Sequence, residues 1–169
     1  DTYSVSEAWR TIRGAVLRKE VYALDESVKA SIPYTVEESS YGIRLLQPKA
    51  RNKHAVYQVL PQESLKYHYE RKTKNPRISQ EITLKTDRYG NRTQVVAIAY
   101  PSRDATAHAD QRKLYASLAE TDHIQANEQD FTYRYHSIPY RTTSYELLGL
   151  EKKLANETLH FTLDQLRQL

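Results

Sequence analysis

Length, composition and charge set the first limits on what this chain can be. Its 169 residues include 25 Lys and Arg, 21 Asp and Glu, no Cys, no Met and four Gly, for a formal net charge of +4. This length fits one domain, or one domain with an appended piece. The absence of Cys excludes disulfides and thiolate metal sites, and the sequence has no apolar run of membrane-spanning length. The basic excess is small and spread along the chain, so charge does not favour nucleic acid as a partner.

The first predicted element is a helix over residues 4–13, in the stretch SVSEAWRTIRG. Ser4 and Glu7 have the spacing of a capping box, and Gly14 suits the end of a helix. At helical spacing, one face carries the apolar residues Val5, Trp9 and Ile12. We expect this face to pack the helix onto the domain, with the only Trp as a packing anchor.

The next segments have the alternation of strands. A strand that ends at Asp25 is predicted by AVLRKEVYALD. One long strand, or two with a bend near Ser39 and Ser40, is predicted by PYTVEESSYGIRLLQP. A further strand, HAVYQVL, is expected to stop at Pro61. It is followed by the strand ESLKYHYER, whose apolar face carries Leu65, Tyr67 and Tyr69.

A hairpin is predicted in the stretch ISQEITLKTDRYGNRTQVVAIAYPSR, which runs from Ile78 to Arg103. Asp87 and Gly90 have the spacing of a type I turn closed by a bulge, in which Gly90 takes a positive φ. Residues 95–99, after the turn, are apolar on both faces. We therefore expect the second strand of this hairpin to be buried on both sides, or to be packed against another element.

The remaining chain predicts further strands and a final helix. Composition favours a helix in ATAHADQRKLYASLAE, although its end, KLYASLA, also alternates as a strand. Two strands are predicted in DFTYRYHS and TTSYELLGL, the first with Phe131, Tyr133 and Tyr135 on one face. A helix capped by Thr162 is predicted in FTLDQLRQL. Its apolar side consists of Leu163, Leu166 and Leu169.

These elements predict a mainly β fold, an antiparallel sheet of roughly eight strands with short helices at the N- and C-terminal ends. Residues 1–150 are expected to form the β-rich domain that includes the helix at 4–13. Residues 151–169 are expected to form a C-terminal helical extension. Because Met is absent, we also expect the chain to be a fragment of a larger protein.

The histidines and carboxylates form no familiar catalytic motif. None of the six His has the HExxH spacing, and the sequence has no nucleophile elbow, P-loop or dinucleotide fingerprint. His68 and Glu70 share a strand face, and His136 would complete a metal group if the strands LKYHY and FTYRY paired. The favoured alternative is that these residues form the wet faces of Tyr-rich strands. We predict that the chain is not an enzyme and has no catalytic, cofactor-binding or metal site.

A family resemblance is carried by five ordered stretches. They are AWRTIRGAVLRKEVYALD, PYTVEESSYGIRLLQP, NKHAVYQVLPQESLKYHYER, NPRISQEITLKTDRYGNRTQVVAIAYPSR and PYRTTSYELLGL. Together they resemble the middle region of the B component (TcB) of bacterial Tc insecticidal toxin complexes, which is Rhs-like and Salmonella-virulence-plasmid-B-like. The resemblance covers about Glu7 to Leu150. It also favours a strand from about Arg112 to Ala119, against the helical composition of that segment.

The resemblance implies a structural role in a secreted toxin. In this family the B and C components together form a hollow β-sheet shell that encloses the toxic part of the C component. Other parts of the B component contact the A component. A segment like this one would contribute wall to the shell, without catalysis, nucleic-acid binding or direct membrane contact.

An alternative function is open at this point: a Tyr-rich β-sheet module that binds a glycan or a protein on a host surface. Packing of Tyr67, Tyr69, Tyr133 and Tyr135 under another layer would favour the shell segment, whereas an open row of these rings along a groove would favour the binding module. A piece of a continuous wall should expose strand edges, so we also expect the isolated fragment to self-associate.

Overall fold

Seven antiparallel strands form one sheet, in which every strand pairs with its neighbours in the sequence. The computed structural model describes residues 2–127, 134–154 and 159–168. The strands are β1 (Arg18–Val21), β2 (Thr35–Gln47), β3 (Val56–His68), β4 (Arg77–Thr86), β5 (Arg92–Ala99), β6 (Tyr115–Asn127) and β7 (Arg134–Glu146). The helices are α1 (Thr2–Thr11) and α2 (Leu163–Arg167), and single 3-10 turns occupy Ala109–Arg112 and Leu150–Lys152. Within the described ranges, no helix is long and apolar enough to cross a membrane.

The predicted mainly β, antiparallel fold is confirmed, with seven strands in place of roughly eight. Pro61 does not stop a strand, because β3 runs through it. It lies opposite Tyr41, beside a register shift between Ser40 and Tyr41 of β2. A bulge accommodates proline because the regular hydrogen-bond ladder is already interrupted there. The extra residue of this bulge is Gln62 of β3, and β2 is a single long strand.

The last two predicted strands are one strand as well. Tyr135 and Glu146 both belong to β7, which pairs with β6 over its whole length apart from two register shifts. Phe131 and Tyr133 lie outside the described residues. The strand favoured by the family resemblance is confirmed as β6, which starts at Tyr115 and continues to Asn127. Its Ala-rich composition is overridden because Ala116, opposite Ile98 of β5, is buried in the core of the sheet.

One face of the sheet is buried. It is covered by residues outside the strands, most of them from the C-terminal part of the chain. Ile82 at the centre of this core face is fully buried. The other strand residues of the cluster are Leu65, Ile78, Val96, Ile98 and Ala116. They are packed under Tyr100, Leu150, Phe161 and Leu166. We call this side of the sheet the core face.

A buried polar group fixes the C-terminal segment to the core face. The side chain of Gln80, only 2% exposed, donates to the carbonyl oxygen of Phe161 at 2.8 Å and to Glu63 at 2.5 Å. It accepts from the hydroxyl of Tyr100, which in turn accepts from the backbone N–H of Phe161 at 2.9 Å. These bonds satisfy polar groups whose burial without partners would be costly.

The helix α2 begins as the sequence predicts. Thr162 is its N-cap and forms a capping box with Gln165. Leu166 is buried and Leu163 half-buried against the core face. Leu169 lies outside the described residues. The predicted domain boundary at residue 150 stays a proposal. The segment after residue 150 packs into the same core as the strands.

Of the two alternatives for the second hairpin strand, burial on both sides is wrong, and packing of one face against another element is confirmed. Val96 and Ile98 of β5 are buried in the core face. Ala97 and Ala99 point to the opposite face and are exposed. Alanine is small enough to stand in solvent at little cost, so an apolar run with alternating Ala does not require two covering layers.

The helix α1 docks through a carboxylate and not through its apolar face. Glu7 is only 8% exposed, and its carboxylate accepts from His54 Nδ1 at 2.8 Å and from the N–H of Ala55 at 3.3 Å. Val5 is 54% exposed and Trp9 is 65% exposed. The prediction that Trp9 anchors the helix is therefore wrong, because the helix is rotated to turn Glu7 inward.

The ends of α1 differ slightly from the prediction. The helix covers Thr2–Thr11, where residues 4–13 were predicted. Gly14 has a φ of 86°, the left-handed conformation that favours glycine after a helix. The side chain of Ser4 lies outside the described part of the structure, so the capping box with Glu7 stays a prediction.

Removing Glu7 should destabilise the domain more than removing Trp9. Glu7→Ala leaves the Ala55 N–H without its acceptor and should lower the free energy of unfolding by about 1–3 kcal/mol. Trp9→Ala removes an exposed ring and should change it by less than about 0.5 kcal/mol. Urea unfolding of both variants, with the exposed Glu151→Ala as a control, checks this. A larger loss for Trp9→Ala would show that the apolar face docks after all.

Candidate functional site: a clasped turn and an uncovered sheet face

The turn between β4 and β5, residues 87–91, is built around one carboxylate. Asp87 accepts from the backbone N–H of Tyr89 at 2.8 Å, from the N–H of Asn91 at 2.9 Å and from the Asn91 side chain at 2.8 Å. Gly90 has a φ of 90°, so its predicted positive φ is confirmed. Its N–H donates to the carbonyl of Asp87 at 3.2 Å, which closes the turn.

The electrostatics of the turn follow from these bonds. Partial burial on its own would raise the pKa of Asp87. The hydrogen bonds donated by Asn91, Tyr89 and Gly90 stabilise the charged form more strongly, and the net effect lowers the pKa below its ordinary value. The carboxylate therefore stays ionised and holds the turn over the whole neutral and mildly acidic range.

Side chains from both neighbouring hairpins hold this turn. From β2, Arg44 donates to the carbonyl of Asp87 at 2.6 Å. From β3, Gln58 donates to the carbonyl of Tyr89 at 2.6 Å. From β6, Gln125 reaches the carboxylate of Asp87 at 3.4 Å. The turn thus links the β2–β3 hairpin to the β6–β7 hairpin.

An aromatic contact supports the same link. The ring of Tyr89 lies 5.8 Å from the ring of His136 on β7, in a tilted arrangement. The guanidinium of Arg88 stacks on the same Tyr89 ring, 4.6 Å from the ring centre. The turn therefore contacts both hairpins, through Arg44 and Gln58 on one side and Gln125 and His136 on the other.

The side of the sheet opposite the core face is open. We call it the uncovered face. Its strands β3 to β7 form a shallow trough of about 660 Å³. The side chains along the trough are mostly small or charged: Ser64, Lys66, Ser79, Glu81, Ala97, Ala99, Tyr115, Ser117, Ser144 and Glu146. The surface of the trough is more apolar than polar, but its lining contains few large aliphatic side chains to grip a small ligand.

The candidate metal residues do not come together. His68 ends β3, Glu70 follows it, and His136 lies on β7, with three strands between β3 and β7. The parts of the chain that the structure describes contain no group of three His, Cys, Asp or Glu residues able to share a metal ion. Partial burial, together with the nearby charges of Lys66 and Arg77, lowers the pKa of His68.

The tyrosines whose exposure discriminates between the two functions form no open row among the described residues. Tyr67 and Tyr69 stack with their ring centres 6.1 Å apart, and the edge of Tyr67 meets His160 at 6.5 Å. Both rings are half-buried near the C-terminal segment. Tyr135 is exposed on β7, at one edge of the sheet, and Tyr133 lies outside the described residues.

The contacts that the sequence did not reveal are those made over long distances. Arg44 and Gln58 carry no local signal, because nothing within a few residues shows that they will reach the turn 87–91. Gln80 sits at a core position of an alternating strand and could be recognised as a polar residue in an apolar series. Its partners, Phe161 and Tyr100, could not be predicted from that pattern.

Comparison with known proteins identifies the family of this fold. The model of the family described as the insecticide toxin TcdB middle/C-terminal region matches residues 7–150. The crystal structure of TcdB2-TccC3-Cdc42 contains a chain with 29% identity and a TM-score of 0.74, over 86% of this chain and 8% of that chain. Among curated proteins, none matches the chain.

Two further solved structures agree. The crystal structure of TcdB2-TccC3-TEV matches with 27% identity and a TM-score of 0.74, over 94% of this chain and 9% of that chain. The Photorhabdus luminescens Tc holotoxin pore matches with 27% identity and a TM-score of 0.71, over 87% and 8%. The chain thus spans less than a tenth of the length of the chains that it resembles.

The fold is that of a sheet-forming segment found in insecticidal toxins. The chain belongs to the family of the insecticide toxin TcdB middle/C-terminal region. The resemblance inferred from five sequence stretches is thereby confirmed, and the matched residues 7–150 coincide with the predicted extent.

Substitution of Gly90 should cost more than substitution of Gly14, although both have a left-handed φ. A Cβ at Gly14 meets nothing within 4 Å, so Gly14→Ala should lose only the backbone preference, about 1 kcal/mol. A Cβ at Gly90 would collide with the side-chain amide of Gln58, whose Cδ would be 2.9 Å away. Gly90→Ala should therefore cost about 2–3 kcal/mol, because it also displaces the hydrogen bond to Tyr89.

A double-mutant cycle separates the two causes. In a Gln58→Ala background, Gly90→Ala should cost about as much as Gly14→Ala, since the obstacle has been removed. Urea unfolding supplies the four free energies. An unchanged cost of Gly90→Ala in the Gln58→Ala background would mean that the collision does not contribute.

Proposed function

We propose that this chain is a non-catalytic wall segment of a secreted insecticidal Tc toxin B component. The observation that carries the proposal is the form of the sheet. It is an unbroken seven-stranded antiparallel meander with one face packed and one face open. Such a sheet separates two spaces and can be extended at its edges, which is what a wall requires.

The proposed partner is the toxin C component, with which the B component would build a closed shell around a toxic cargo. Support comes from the matched structures, whose names combine TcdB2 with TccC3. Contact with the A component would be made by other parts of the B component. The segment itself would need no cofactor, nucleic acid or membrane.

We assign the uncovered face to the cargo side of the wall. The core face is already covered by Leu150, Phe161 and Leu166, so it can face outward with the centre of its apolar surface buried. The uncovered face carries Ala97, Ser117 and similar small residues. A surface of this kind would enclose an unfolded polypeptide without holding it tightly, since it offers few large apolar side chains.

The alternative of a Tyr-rich module that binds a glycan or a protein on a host surface is not favoured. It required an open row of tyrosine rings, and Tyr67 and Tyr69 instead lie half-buried beside the C-terminal segment.

Cysteine labelling in the assembled toxin tests the assignment. The chain has no Cys, so single cysteines can be placed at Ala97 on the uncovered face and at Lys152 on the segment that covers the core face. Both positions are exposed in this chain. The variants are made in the full-length B protein, in a background without other cysteines, and treated with a large maleimide-polyethylene glycol.

Both cysteines should react when the B component is alone and open. After assembly with the C component, the cysteine at position 97 should become protected and the one at position 152 should stay reactive. Ser117→Cys provides a second position on the uncovered face should Ala97→Cys prevent assembly. Equal labelling of both faces in the assembled complex would overturn the wall proposal.

Self-association of the isolated chain should proceed through β7. This strand is 13 residues long and forms one edge of the sheet, whereas β1 at the other edge has four residues. The stretch from Tyr140 to Glu146 is exposed throughout and offers free backbone groups on its outer side. We expect the isolated chain to scatter light with a mass that rises above 19.7 kDa with concentration.

Charges on this edge should prevent the association. Thr143→Lys with Ser144→Lys should keep the chain monomeric, because lysine on an edge strand opposes pairing. Ser31→Lys with Asn52→Lys adds the same charge at exposed loop positions and should leave the association unchanged. A wild-type chain that stays monomeric at every concentration would contradict the prediction.

A further inference from the structure

A basic recess lies at the end of the sheet where β3 passes into β4. It is formed by the loop after His68, by the turn that contains Lys29 and by the segment from Ser102 to Gln111. Its volume is about 670 Å³, which is within the range of small-molecule sites. It is separate from the turn 87–91 and from the uncovered face.

The charges around the recess are unbalanced. Five basic residues line it, against two acidic ones, Glu70 and Asp104. Arg71 is paired with Asp25 at 2.7 Å, and Arg77 is paired with Glu70. In the described structure, the ammonium groups that remain without an ion-pair partner are those of Lys29, Lys72 and Lys74.

One wall of the recess is held in a fixed shape. The backbone N–H groups of Tyr69 and Glu70 both donate to the carbonyl of Tyr34, at 2.9 and 3.1 Å. The guanidinium of Arg71 lies 5.5 Å from the ring centre of Tyr34 and donates to the carbonyl of Lys29 at 3.4 Å. Glu70 and Arg71 have φ values of 50° and 60°, a conformation that is costly unless surrounding contacts impose it.

The opposite wall, residues 102–111, is also held in shape by hydrogen bonds within its own segment. The N–H of Ser102 donates to the carbonyl of Gln111 at 2.7 Å. Asp104 is held by the backbone and hydroxyl of Thr106, at 2.9 and 2.7 Å. Its carboxylate is therefore engaged with its own loop, although the charge of Lys72 also contributes to its lowered pKa.

We propose that this recess binds a compact anion that carries adjacent phosphate groups. Three lysines from two loops line a concave, polar space, and lysine ammonium groups are common ligands of phosphate. Adjacent phosphates fit better than a single one, because the three positive charges are spread across the recess. The proposal is independent of the wall function, since the recess lies beyond the end of the strands.

Calorimetric titration of the 169-residue chain with pyrophosphate at low salt tests the site. We expect saturable binding that is tighter than that of orthophosphate and that weakens as salt is added, because the contacts are electrostatic. Lys72→Gln with Lys74→Gln should weaken the affinity about tenfold or more. Lys152→Gln with Lys153→Gln makes the same change of net charge in another loop and should alter the affinity less than about twofold.

The remaining outcomes are also decisive. Lys29→Gln, on the other loop, should weaken binding by itself, which distinguishes a converging site from a single basic segment. Binding of ADP as tight as that of pyrophosphate would assign the site to a nucleotide, and exclusion of ADP would assign it to a free polyphosphate. Undetectable binding of pyrophosphate, or equal weakening by the two lysine pairs, would overturn the proposal. Thermal unfolding of each variant verifies that it is folded.

Discussion

The structure depends on burying one face of the sheet away from solvent. The strands β3 to β6 place Leu65, Ile82 and Ile98 on that face, and each such side chain gains about 1.5–3 kcal/mol from burial. The strands cannot cover this face themselves, because all seven described strands lie side by side in one sheet. Phe161 and Leu166 supply the cover, so the segment that follows the sheet is necessary for its stability.

The polar contacts around Gln80 explain why this cover has a defined position. Apolar packing is not directional and would allow the segment to slide along the core face. Gln80 and Tyr100 together bond both backbone groups of Phe161, which is possible in one register only. A polar residue at the centre of the core therefore gives the segment a unique position, while its own hydrogen bonds remain satisfied.

What could be predicted from the sequence is what depends on neighbouring residues. The turn at Asp87 and Gly90 and the cap at Thr162 require only contacts within four residues, and the structure contains both. The docking of α1 by Glu7 and the passage of β3 through Pro61 depend on residues far away in the sequence. The same holds for Arg44 and Gln58, whose roles exist only after the hairpins have come together.

The surfaces that this chain leaves exposed are consistent with a segment of a larger wall. Trp9 on α1 and the long edge of β7 expose apolar rings and backbone groups that a self-contained domain of this size would normally cover. The chains that it resembles are more than ten times longer, and in the proposed wall neighbouring parts would cover these surfaces. The contacts of the turn 87–91 tie the β2–β3 hairpin to the β6–β7 hairpin, so they hold the two long hairpins in a fixed position relative to each other.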